Sequence, residues 1–96
     1  MLDEKRIREI AQEVARAKLA SAHVTFVSSS PMIDSQGQDA LRITIVIAPG
    51  AETRISGNVA LDTLVGIRDQ LRRAGEDRLA IVEYATKEEL DAGGDI

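Results

Sequence analysis

The sequence predicts an α+β domain, a two-layer α/β sandwich in the order α-β-β-α-β with a three-stranded sheet and a short C-terminal helix. Two segments, one from Asp3 to about Ala20 and one beginning near Ser56, repeat apolar residues at three- and four-residue spacing, the period of a half-buried helix. Three other segments, "AHVTFVSSS", "ALRITIVIA" and "LAIVEYA", are short, apolar or alternating, and rich in β-branched residues. A chain of 96 residues is long enough to bury one core without disulfide or metal support. Residues 1–92 are therefore expected to form one domain, with 93–96 a flexible tail.

In the first helix Ile7, Ile10, Ala11, Val14 and Ala17 make the apolar stripe. Asp3 caps its amino end, and Glu4 precedes Arg8 by four for a surface pair. In the first strand Val24 and Phe26 alternate with Thr25 and Val27. In the second, Leu41, Ile43, Ile45 and Ile47 take one face, with Arg42, Thr44 and Val46 on the other. The stretch between them, "SSSPMIDSQGQD", reads as the end of a strand and a hairpin turn. Pairing Asp34 with Asp39 around "SQGQ" sets Met32 opposite Leu41 and Phe26 opposite Ile47, which gathers the apolar sets on one side. Gly37 supplies a positive φ at the turn, and Pro31 marks a break or bulge on an edge strand.

Ser56 caps the second helix, whose buried stripe is Ala60, Leu61, Leu64, Ile67 and Leu71 with Val65 beside it. Gly75 suits the left-handed position just past its end. After the third strand, Leu79 to Ala85, "TKEE" is a capping-box pattern pairing Thr86 with Glu89, and it opens one or two helical turns before Gly93 and Gly94.

Composition narrows the functional classes. The only aromatic residues are Phe26 and Tyr84, and there is no cysteine, so neither a disulfide framework nor thiolate chemistry is available. No apolar run approaches the roughly 20 residues of a membrane helix. The charged start, "MLDEKRIREI", lacks the apolar stretch of a signal peptide, and a cytoplasmic location is expected. The formal charge of −4 falls entirely in the second half of the chain. An acidic chain repels polyanions through its overall field, so nucleic acid is not an expected partner.

A search for chemistry returns little. Counted from Asp34, a calcium loop needs Gly at the sixth position and Glu at the twelfth, where the sequence has Asp39 and Ile45. Ser28 to Ser30 have only His23 as a potential base, on the opposite strand face and more than about 10 Å from Ser28 at a rise of about 3.3 Å per residue. One histidine without cysteine does not make a zinc site. Neither "APGAE" nor "RISGN" has the glycine and lysine spacing of a phosphate loop. Glu83 and Asp69 lack a visible partner for acid–base work. No catalytic residue, metal or cofactor is expected.

Two surfaces remain. The sheet face opposite the helices is expected to carry Thr25, Val27, Arg42, Thr44 and Val46, a semi-apolar candidate interface. Arg68, Arg72 and Arg73, joined by Arg78, form a candidate anion contact, although Asp69, Glu76 and Asp77 lie close enough to absorb much of that charge.

The element order, with "VTFVSSSP" leading through a turn into "ALRITIVI", resembles that of ribosome-binding factor A and the wider type II KH arrangement. Type II KH domains bind single-stranded nucleic acid at a GxxG loop between two helices. No GxxG occurs here, and ribosome-binding factor A lacks that loop too. The resemblance implies an RNA- or ribosome-associated protein. Residue chemistry instead favours a non-enzymatic protein-interaction module, expected to be a homodimer, of the kind found as the partner or antidote member of a two-gene pair.

Overall fold

A computed structural model of the chain describes residues 1–93. The elements follow the predicted order: α1 (Glu4–Lys18), β1 (Val24–Ile33), β2 (Asp39–Ile47), α2 (Gly57–Arg73), β3 (Leu79–Ala85) and α3 (Lys87–Gly93), with 3₁₀ turns at Ala20–Ala22 and Ala51–Arg54. Gly93 thus belongs to α3, and the rest of the expected tail, 94–96, lies outside the described residues. The sheet order is β1-β2-β3, with β1 antiparallel and β3 parallel to the central strand β2. A parallel neighbour requires a long crossover, which the second 3₁₀ turn and α2 provide.

Local chemistry sets the helix ends. Asp3 Oδ1 accepts the Arg6 amide at 2.8 Å, and Ser56 Oγ accepts the Val59 amide at 3.2 Å. At the other end of α2, Gly75 has φ +99°. The Gly75 amide donates to the Arg72 carbonyl at 3.0 Å and the Glu76 amide to the Leu71 carbonyl at 2.9 Å, the two bonds of a Schellman motif. Thr86 and Glu89 exchange both bonds of the capping box, at 3.0 and 3.2 Å.

α1 and α2 pack on one face of the sheet. Ile7, Ile10, Ala11, Ala15, Ile67 and Leu71 join Val27, Leu41, Ile43, Ile45, Ile47 and Ala80 in a single core. In α1 the stripe includes Ala15 while Ala17 is exposed. The two helices approach so closely at Gly66 that a Cβ there would sit 3.0 Å from Val14 Cγ1.

The hairpin register differs from the expected one by a single residue. Ile33, not Asp34, pairs with Asp39; Met32 pairs with Ala40 and Phe26 with Val46. The cause is Asp34, whose Oδ1 accepts the amides of Gln36 and Gln38, both at 2.9 Å, and draws it into the turn. The loop is thereby five residues long, Asp34 to Gln38, with Gly37 at φ +79°. Because strand side chains alternate, the slip exchanges the faces of Phe26 and Val27. A register irregularity between Val24 and Phe26 then returns Val24 to the core side, opposite Ile47. The bulge is there and not at Pro31, which pairs with Leu41 within β1.

Candidate interaction surface

The sheet face without helices does not expose the expected apolar patch. Val27 points into the core opposite Ile45 and is 4% exposed. Val46 does lie on the open face, but it sits between Phe26 and Ala85 and is fully buried. Thr25 falls in the irregularity, where its hydroxyl donates to the Val46 carbonyl at 3.0 Å. Thr44 gives its hydroxyl proton to Glu83 Oε1 at 2.8 Å, with Arg42 Nε 4.0 Å from the same oxygen. Of the five candidate residues, Arg42, Thr44 and Val46 share this face, and only Arg42 among those three is exposed. Phe26 replaces Val27 as its apolar member on β1, at 41% exposure.

Of the four arginines, Arg68, Arg72 and Arg78 line one cleft together with Glu76 and Asp77, and Arg73 stands apart from it. Arg68 lays its Nε on the Ala80 carbonyl at 2.9 Å, and Arg73 pairs with Asp69 at 3.1 Å along the helix. Arg78 is turned into a buried clasp. Its Nε and Nη2 donate to the two oxygens of Glu76 at 3.0 and 3.1 Å, and Glu76 Oε1 also accepts the Leu2 amide at 2.8 Å. Together they tie the amino terminus to the end of α2. These hydrogen bonds, with the Arg78 guanidinium foremost, hold the Glu76 carboxyl at about 2 even though burial opposes ionisation. Arg72 stays exposed, beside Arg68 and Arg78 at the start of β3.

Exposed apolar side chains include Ile33 at the end of β1, Leu79 at the start of β3, and two on α2. Leu61 and Val65, one turn apart, are 58% and 56% exposed, so the helix buries Thr63, Ile67 and Leu71 and leaves these two outside. Below Leu61 a cleft of about 370 Å³ is lined by Ala60, Leu61, Leu64, Arg68, Ile81, Val82 and Tyr84. Its floor is β3, an edge strand. Because Arg68 reaches the Ala80 carbonyl, that carbonyl points away from β2. By alternation the backbone groups of Val82 and Tyr84 point outward as well. The Tyr84 hydroxyl is buried beside the Thr63 hydroxyl, which donates to the Val59 carbonyl at 2.8 Å, and burial raises the Tyr84 pKa.

One signal for this surface was present in the sequence. Val59, Ala60, Leu61, Leu64, Val65, Ile67 and Leu71 are more apolar positions than one helix face can hold, so some had to stay outside. His23 is exposed, with a left-handed φ of 51° that turns the chain into β1. Among the described residues no three His, Cys, Asp or Glu side chains cluster as a metal site would require, and no helix is long and apolar enough to cross a membrane. Compared with known proteins, the chain matches no family model, and no characterised protein or solved structure is significantly similar to it.

Proposed function

We propose that the chain is a small, acidic, non-enzymatic protein-interaction module working in the cytoplasm, whose contact surface is the outer side of α2 and the free edge of β3. One observation carries the reading: Leu61, with Val65 exposed one turn along, stands over a cleft floored by a strand whose outer edge is free. Strand addition supplies affinity through main-chain hydrogen bonds, and neighbouring apolar side chains supply specificity. A protein encoded beside this one, as in a two-gene antidote pair, is one form such a partner takes.

The test is a photo-crosslinking amino acid placed at position 61, with position 13 on the exposed side of α1 as control. A discrete polypeptide adduct at 61 and not at 13 is the expected result. RNA association is the competing reading. Salt-sensitive retention of labelled RNA on filters, lost in Arg72→Ala and Arg73→Ala, with no protein adduct at position 61, would replace the protein reading.

A further inference from the structure

Resting on that reading, we infer that the partner is a second copy of this chain, joined by antiparallel pairing of β3 with β3 about a two-fold axis at Val82. The two edges of the sheet are not equivalent. β1 carries Pro31, which lacks an N–H, and the irregularity at Thr25, both devices that discourage strand addition. β3, "LAIVEYA", has neither. Its outward groups belong to Ala80, Val82 and Tyr84, spaced symmetrically about Val82. Antiparallel pairing centred there sets Val82 against its own copy and Ala80 against Tyr84 of the other, forming about six main-chain hydrogen bonds. Arg68 holds only one lone pair of the Ala80 carbonyl, and the second remains for the partner amide.

Charge selects the antiparallel sense. The start of β3 lies beside Arg68 and Arg72, with Asp77 and the internally paired Glu76 and Arg78, a small positive excess, whereas its end leads into α3, where Lys87 stands against Glu88, Glu89 and Asp91. Two-fold pairing brings the basic end of each copy alongside the acidic end of the other, and parallel pairing would oppose like charges. The same operation turns α2 against its symmetry mate, so that Leu61 and Val65 of both copies close one apolar seam. Sheet pairing and helix contact then cover together the two features that each copy leaves open.

Sedimentation equilibrium on the full chain at tens of micromolar, an order-of-magnitude concentration suited to contacts near 10⁻⁵ M, tests the inference. Wild type is expected to be dimeric, and Leu61→Glu with Val65→Glu should raise the dimer dissociation constant at least about tenfold with unchanged circular dichroism. Val82→Pro is the second variant. It removes an N–H that points away from β2 and should act in the same way while the intrachain ladder persists. Phe26→Glu, on the open face, should leave the dimer intact, and higher ionic strength should weaken it. A monomeric wild type overturns the inference, as does a dimer that survives both α2 and β3 variants or one broken by Phe26→Glu alone. With a monomeric wild type, an adduct to a different polypeptide at position 61 leaves the interaction module standing, and no adduct removes both.

Discussion

Glu76→Gln is the perturbation with the clearest magnitude. The Glu76 side chain has no exposure and its partner Arg78 only 14%, so this ion pair is not screened as surface pairs are. In the folded chain the carboxyl titrates at about 2 instead of its ordinary 4.5. A depressed carboxylate adds stability that is fully present above the unfolded value and is lost as pH falls through the folded one. At neutral pH the shift corresponds to a ceiling of about 3 kcal/mol, at about 1.36 kcal/mol per pH unit. At pH 2, where the folded carboxyl is half protonated, only a few tenths of a kcal/mol remain. Glutamine keeps the shape but not the charge. The variant should therefore unfold more easily than wild type at pH 7 by up to about 3 kcal/mol, and the gap should close as pH drops from 4.5 toward 2. Urea unfolding of both proteins at several pH values measures it, and subtracting one curve from the other cancels the remaining carboxylates. A gap that stays constant between pH 5 and pH 2 would refute the reasoning, because the clasp would then not depend on the Glu76 charge.

Two further outcomes follow from the sheet. Replacing Asp34 through Gln38 with Asn-Gly preserves the Ile33–Asp39 pair and should keep a cooperative melt. Replacing only Ser35 through Gln38 with Asn-Gly forces Asp34 against Asp39, drives Val27 out of the core, and should cost about 2–3 kcal/mol in thermal unfolding. Val46→Glu, a charge placed where the native side chain is fully buried, should lower stability by about 2–4 kcal/mol in urea; a change below about 0.5 kcal/mol would mean that Val46 is accessible after all.

Features decided within a few residues were legible from the sequence. The Asp3 and Ser56 caps, Gly75 at the end of α2, and the Thr86–Glu89 capping box each depend on groups at most five positions apart, and all four stand as read. The apolar face of β2 was equally clear, because four residues at strict alternation leave no second solution. The pairing of β1 with β2 was not. It turned on whether Asp34 ends a strand or organises a loop, and an aspartate serves in both settings until its carboxylate finds amides. The burial of α2 was ambiguous for a different reason. Its apolar residues cover more than half the helix circumference, and the face that is buried packs where Gly66 comes close to Val14, a contact between helices that no local pattern contains.

The strand register and the buried face of α2 together decide where apolar surface is left open. Had Val27 faced outward beside Val46, the open side of the sheet would have been the apolar place for a partner to dock. With the register set by Asp34, that side instead carries Phe26, Ser28, Ser30, Arg42, Thr44 and Glu83, and on its central strand Thr44 and Val46 are already covered. On α2, Leu61 and Val65 stand exposed, and Leu61 lines the cleft at the one strand edge without a proline or a bulge. Either feature alone is common on small proteins: isolated exposed leucines are ordinary, and every open sheet has edges. Their adjacency carries the argument, because a single chain docking there would satisfy the outward amides of Val82 and Tyr84 and remove both side chains from water in one step.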